Sequence, residues 1–113
     1  MNWIQLTNDI DIDQLKEESN SSPIVIFKHS TRCSISDMVL NRFERSWSDS
    51  EMAEVKPYFL DLIRNREMSN KVAEVFSVQH ESPQVLVIKN GEVIYNDSHI
   101  AINYSTIKDV TKN

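Results

Sequence analysis

The sequence of 113 residues contains a single cysteine, Cys33, and a single glycine, Gly91. One cysteine cannot form an internal disulfide bond, so we expect no disulfide framework and predict a reducing, cytoplasmic location. One glycine excludes both the phosphate-binding loop of Walker-type ATPases and the Rossmann dinucleotide fingerprint, because each of these motifs requires several glycines.

Strong positive charge and long apolar segments are also missing. The net charge of -5 at pH 7 argues against broad electrostatic binding to nucleic acid or to anionic lipid. Apolar runs such as "IVIF" are far shorter than the roughly 20 residues that span a membrane. The start, "MNWIQLTNDID", lacks a basic segment followed by an apolar one, so we predict no secretory signal. The length predicts one compact domain over residues 1–113.

The apolar periodicity predicts strands that alternate with helices. Strands are predicted at residues 3–6, 24–29, 58–63, 84–89 and 92–96, and helices at 15–18, from about 34, at 66–76 and after 102. The pair Asn90-Gly91 between two apolar strands is a strong sequence signal for a tight β-hairpin. We therefore predict an α/β fold: a mixed central sheet with a C-terminal antiparallel hairpin and helices on both faces.

Cys33 lies where a predicted buried strand gives way to an amphipathic helix. The free N–H groups and the dipole at a helix start favour an anion, and the thiolate is the reactive form of cysteine. The dipole contributes only about 0.3–2 kcal/mol, so full activation of a thiol needs further groups. Basic and hydroxyl side chains close in sequence could supply them: Lys28, His29, Arg32, Ser30, Thr31, Ser34 and Ser36.

Taken alone, a single cysteine is more often a small buried hydrophobic residue. The position of Cys33 between Arg32 and Ser34, just beyond a strand end where α/β sheets place ligand sites, favours a reactive nucleophile instead. The three scattered histidines show no ligand spacing, so we predict no metal site. A cysteine-protease arrangement would need a distant histidine, and nothing in the sequence points to one.

Two further motifs flank this candidate nucleophile. Ser36 follows Cys33 by three residues, at the position where dithiol oxidoreductases carry their resolving cysteine, so an outside thiol would have to resolve a mixed disulfide. Pro83 directly precedes a predicted buried strand, and the Ser82–Pro83 bond can be cis, although trans is the commoner isomer. His80, two residues before Ser82, could tune the thiol or cap the loop.

Together these motifs resemble the thioredoxin fold. More narrowly, "IFKHSTRCSIS" together with "HESPQVLVIKNGEVIY" is similar to the monothiol bacilliredoxins of the YtxJ-like type, over nearly the whole chain. The resemblance implies a thioredoxin-like domain with a four-stranded core sheet. It also implies a thiol–disulfide oxidoreductase whose nucleophile is Cys33.

The resemblance further implies how the site is shaped. Pro83 is expected to be cis and to face Cys33, with the backbone of Ser82 pairing with an incoming thiol substrate in the manner of an added strand. Ser36 takes the place of the resolving cysteine. Ser34 stands where the family usually has proline, which adds an N–H donor near the sulfur and leaves the redox poise open.

The function that the resemblance implies is removal of bacillithiol from protein mixed disulfides. Bacillithiol is then a thiol co-substrate, and no bound cofactor is expected. The implied partners are bacillithiolated client proteins, bacillithiol itself, and another redoxin or reductase that regenerates the thiol. Basic side chains are candidate contacts to the thiolate or to the two malyl carboxylates of bacillithiol: Lys28, His29, Arg32 and His80.

Two other functions stay open on the sequence. A non-catalytic thioredoxin-like module that holds client proteins would also need only one cysteine. A glutathione-linked or iron–sulfur-binding monothiol redoxin would need a dimer and outside ligands, and the sequence shows no signature of it. An exposed, acidified Cys33 would favour the enzyme, whereas a buried sulfur with the acidity of an ordinary thiol would favour the module.

Overall fold

The computed structural model describes residues 1–112 and has the predicted order of strands and helices. The last residue of the predicted domain, Asn113, lies outside the described residues. The strands are β1 (Ile4–Gln5), β2 (Ile24–His29), β3 (Lys56–Asp61), β4 (Gln84–Lys89) and β5 (Glu92–Ser98). The helices are α1 (Ile12–Glu18), α2 (Ser34–Ser46), α3 (Arg66–Val75) and α4 (Tyr104–Thr111), and a single 3-10 turn, His99–Ala101, precedes α4.

The strands form one mixed sheet in the order β1-β3-β2-β4-β5. β2 runs parallel to β3, and β4 is antiparallel to β2, which makes β2 the central strand. All of its residues are buried, as its apolar sequence predicts. The predicted hairpin joins β4 to β5, and its turn residues Asn90 and Gly91 have φ of 54° and 79°, as a tight hairpin turn requires. The predicted α/β fold is therefore confirmed.

The boundaries of β1, β3 and β5 differ from the predicted ones by one or two residues, and the end of β3 has a clear physical reason. β3 ends at Asp61, two residues before the predicted end at residue 63. The Asp61 carboxylate accepts hydrogen bonds from the N–H groups of Ile63 and Arg64, at 3.1 and 3.2 Å. An aspartate that bonds the backbone two and three residues ahead starts a turn, so the apolar Leu62 and Ile63 follow the strand and do not extend it.

Helices cover both faces of the sheet, as predicted. Alternate residues of β2 divide between two hydrophobic clusters: Ile24 and Ile26 pack in one that includes residues of α1 and α3, and Val25 and Phe27 in one that includes residues of α2 and α4. This alternation continues to the end of β2, so that its last two residues, Lys28 and His29, point to opposite faces of the sheet.

Aromatic side chains hold α2 on the sheet. The ring of Phe43, on α2, lies 5.6 Å from that of Phe27 on β2, and Trp3 packs against both rings at 6.0 and 6.2 Å. The Trp3 indole N–H also donates to the Glu44 carboxylate at 2.8 Å. The start of α2, which carries Cys33, is thus fixed relative to the end of β2.

Candidate active site

Cys33 is the N-terminal cap of α2, and its free thiol is half-buried. Its N–H donates to the Ser30 carbonyl at 3.2 Å, which closes a turn directly after β2. The first backbone bond of the helix runs from the Asp37 N–H to the Cys33 carbonyl, also at 3.2 Å. The N–H groups of the three residues between them therefore have no acceptor within the helix, and this end of the dipole favours a thiolate.

His29, the last residue of β2, is buried and ties the strand to the first turn of α2. Its Nδ1 lies 2.8 Å from the Ser36 hydroxyl, and its Nε2 lies 3.3 Å from the Asp37 carboxylate. A carboxylate only accepts, so Nε2 carries the proton, and in the neutral ring Nδ1 accepts from Ser36. The Ser36 oxygen in turn accepts from the Ser30 N–H at 3.2 Å.

This network closes both ends of the segment that carries Cys33. The Ser30 N–H at its start donates to the Ser36 hydroxyl at its end, and His29 Nδ1 is hydrogen-bonded to the same hydroxyl. Ser36 is fully buried, with 0% of its surface exposed. The hydroxyl of Ser36, at the position of a resolving cysteine, is therefore already hydrogen-bonded to His29 of β2.

Lys28, the neighbour of His29 on β2, points to the opposite face and is also fully buried. Its ammonium donates to the Ser69 carbonyl on α3 at 3.3 Å and to His80 Nδ1 at 3.2 Å. Burial lowers the pKa of Lys28 to about 8. Burial, followed by the positive charges of Lys28 and Arg66, also lowers the pKa of His80, so the imidazole stays a neutral acceptor.

The Ser82–Pro83 peptide bond is cis, the isomer that the family resemblance implies. Lys28 pairs with Gln84 across β2 and β4, and continuing this register places Pro83 beside His29. The Pro83 carbonyl accepts from the His99 N–H at 3.0 Å. The Ser82 hydroxyl is buried and has no hydrogen-bond partner within residues 1–112.

The structure brings some of the predicted site residues together and separates others. The start of α2 carries Cys33, Ser34 and Ser36. Ser82 and Pro83 directly precede β4, which pairs with β2. Arg32 and His80 are exposed residues, whereas Lys28 and His29 are buried on opposite sides of the sheet. Nearness in sequence therefore did not predict which basic groups share a surface with the thiol.

Asp37 and Gln84 are two contributors that sequence reasoning missed. Asp37 bonds the buried His29 from the first turn of α2, and Gln84 bonds the loop before Pro83. Period-two alternation along β2 could have indicated that Lys28 and His29 diverge. Nothing in the sequence alone pairs Lys28 with a residue in a loop 52 positions away.

Across the described part of the chain, no group of three or more His, Cys, Asp or Glu residues is arranged to hold a metal ion. The helices between residues 1 and 112 are also too short or too polar for any of them to cross a bilayer.

Comparison with known proteins decides the family. Residues 4–107 match the family described as the monothiol bacilliredoxin BrxC. The chain belongs to the monothiol bacilliredoxins. A solved structure described as a suspected oxidoreductase with a thioredoxin fold is 29% identical, has a TM-score of 0.76, and is matched over 97% of this chain and 93% of its own.

Thioredoxins show the same fold at lower identity. That of Schistosoma mansoni has a TM-score of 0.71 at 21% identity, matched over 98% of this chain and 94% of its own. That of Fasciola hepatica has a TM-score of 0.69 at 21% identity, over 96% and 95%. The thioredoxin fold and a thiol redox role follow for this bacilliredoxin.

Replacing Ser36 by alanine should destabilise the protein by roughly 2 kcal/mol, because the half-buried Ser30 N–H and the buried His29 Nδ1 both lose their partner. Ser34→Ala is the matched control, since Ser34 lies in the same helical turn but is exposed, and its effect should stay within about 0.5 kcal/mol. Urea unfolding measures both changes. Equal, small effects would show that the Ser36 hydroxyl does not connect β2 to α2.

Lys28→Met should stabilise the protein near neutral pH by about 1–3 kcal/mol, because it removes a buried charge. The folded-state pKa of Lys28 is about 8, below its ordinary value of 10.5. The unfolded chain therefore binds more protons between these values, and wild-type stability should rise with pH through this window. The advantage of the variant should accordingly shrink between neutral pH and about pH 9.5.

Urea unfolding of wild type and variant at both pH values measures this difference. Lys71→Met, which changes an exposed lysine on α3, is the control and should follow the wild-type pH dependence. If the wild-type and Lys28→Met stabilities stay a constant distance apart across the window, Lys28 is not a desolvated cation.

Proposed function

We propose that this protein removes bacillithiol from mixed disulfides of client proteins, with the Cys33 thiolate as the nucleophile. The observation that carries the proposal is a half-buried single thiol at the start of α2. In the same helical turn, the Ser36 hydroxyl is already hydrogen-bonded to His29. Membership of the monothiol bacilliredoxins supports bacillithiol as the small thiol.

In the first step, the Cys33 thiolate attacks the bacillithiol sulfur of the client mixed disulfide. The disulfide bond of the client breaks, and a new one forms between Cys33 and bacillithiol. The client sulfur leaves as a thiolate and takes a proton from water. The unpaired N–H groups at the start of α2 stabilise the attacking thiolate, and partial exposure of Cys33 gives the disulfide access.

In the second step, an outside thiol regenerates Cys33. A second bacillithiol thiolate attacks the bacillithiol sulfur on Cys33, which releases the Cys33 thiolate and one bacillithiol disulfide. The client sulfur is thus reduced at the expense of the second bacillithiol thiol, because the first bacillithiol stays in disulfide linkage throughout. An internal route is closed, because the chain has no second cysteine and Ser36 is buried at the resolving position.

The loop before β4 supports a binding site for the client chain. The register of β2 and β4 places Ser82 and Pro83 beside the strand end that leads to Cys33. The Ser82 backbone could pair with an extended client segment, as in other complexes that add a strand.

Arg32 is our candidate for the basic contact to bacillithiol. Lys28 and His29 already bind partners inside the protein, on opposite faces of the sheet. Arg32 is exposed and directly precedes Cys33. In this proposal its guanidinium pairs with the malyl carboxylates of a bacillithiol joined to Cys33.

Brief exposure of the protein to oxidised bacillithiol should add one bacillithiol to Cys33, and glutathione disulfide should add much less. Intact-protein mass spectrometry measures both, and Cys33→Ser should gain neither. Equal labelling by both disulfides would overturn the preference for bacillithiol. Absence of labelling by either would mean a shielded sulfur and would favour the non-catalytic binding module.

Arg32→Ala should slow the reaction of Cys33 with oxidised bacillithiol about two- to fivefold, the range for an exposed ion pair. Its reaction with uncharged hydroxyethyl disulfide should stay the same, because that reagent has no carboxylate. Arg45→Ala, an exposed arginine in the last turn of α2, is the matched control. Slowing with both disulfides alike would place Arg32 in tuning the sulfur and not in binding the ligand.

A further inference from the structure

Two polar side chains lie side by side beneath the loop that leads to Pro83. Lys28 and Gln84 are directly opposite each other in the antiparallel pair of β2 and β4. Both are buried, with 0% and 1% of their surface exposed, at the end of a sheet face on which the other residues of β2 and β4 are aliphatic. Burying an ammonium and an amide costs free energy unless each finds hydrogen-bond partners.

Both side chains form hydrogen bonds with the same short segment, residues 79–81. The Gln84 amide nitrogen donates to the Gln79 carbonyl at 3.1 Å, and the Gln84 amide oxygen accepts from the Glu81 N–H at 3.3 Å. Between these two anchors, the Lys28 ammonium donates to His80 Nδ1 at 3.2 Å. Residues 79–81 are thus each hydrogen-bonded to one cross-strand pair, Lys28 and Gln84.

We propose that Lys28 is a positioning residue for peptide substrates: with Gln84 it fixes residues 79–81, so that the Ser82 backbone is presented to an incoming chain. The inference rests on the proposed function only in taking Ser82 as the docking strand. Lys28 lies on the α3 side of the sheet, whereas the network around Cys33 lies on the α2 side. Its effect should therefore reach docking and leave the reactivity of the sulfur unchanged.

The contact between Lys28 and His80 fixes which nitrogen of the His80 ring carries the proton. An ammonium only donates, so His80 Nδ1 must accept, and the proton of the neutral ring then lies on Nε2. The second bond from Lys28, to the Ser69 carbonyl, fixes the ammonium to α3. A methionine would fill nearly the same volume but make neither bond, so Lys28→Met removes the anchor with little change in packing.

A peptide carrying thionitrobenzoate in disulfide linkage on its cysteine tests this role. Cys33 attacks the peptide sulfur and releases coloured thionitrobenzoate, so each reaction joins the peptide to Cys33. Lys28→Met should raise the peptide concentration that gives half-maximal rate about tenfold, with the limiting rate unchanged within about twofold. Its rate with the symmetrical disulfide of thionitrobenzoate, which needs no docked chain, should also stay within about twofold of wild type.

Two His80 variants separate positioning from folding. His80→Asn keeps an acceptor near the place of Nδ1 and should restore near wild-type values, whereas His80→Ala should behave like Lys28→Met. Lys71→Met, an exposed lysine on α3, is the charge-matched control. An equal loss with both disulfides, no loss with the peptide, or a His80→Asn as impaired as His80→Ala would each overturn the inference.

The assay does not involve bacillithiol, so its outcome is separate from that of the proposed function. If the wild-type protein reacts with the peptide but not with oxidised bacillithiol, bacillithiol is not its small thiol. The proposed role of Lys28 would be unaffected by that result. Loss of peptide docking only in Lys28→Met and His80→Ala would support that role whichever small thiol the protein uses.

Discussion

Consecutive residues of a β-strand point to opposite faces of a sheet, and at the end of β2 this rule sends two polar residues in opposite directions. Lys28 turns toward α3 and holds the loop before Pro83, whereas His29 turns toward α2 and holds the turn that carries Cys33. The two loops of the site are thereby fixed to adjacent residues of one central, fully buried strand. Because the strand cannot shift without moving both, the relative position of nucleophile and docking loop follows from its register.

The same arrangement gives Ser36 a meaning beyond the loss of a second cysteine. A cysteine at this position in a dithiol enzyme must be free to attack the first sulfur. Ser36 instead accepts from the Ser30 backbone and bonds the His29 ring inside the protein. Its hydroxyl thus contributes to the shape of the Cys33 turn, and the dependence on an outside thiol is built into the packing of α2 on β2.

Much of the fold follows from patterns of neighbouring residues. The apolar run of β2, the Asn90-Gly91 turn and the helical spacing after Cys33 all depend on local preferences, and each predicted element is present. The site was less predictable, because its key contacts join distant positions: Lys28 with His80, and His29 with Asp37. Basic residues next to a cysteine suggested a shared surface, but strand alternation and burial placed two of them inside the protein.

A buried cation in a small domain calls for a reason, because hydrophobic residues of similar volume often serve stability as well or better. Lys28 is fully buried, and burial lowers its pKa to about 8, so its charge destabilises the folded state near neutral pH. Its two acceptors lie on separate elements, the α3 backbone and the loop before Pro83. An aliphatic side chain could fill this space, but it could not join those elements or set the tautomer of His80. The free energy lost to burial is therefore best understood as the cost of fixing a loop whose geometry a docking chain must match.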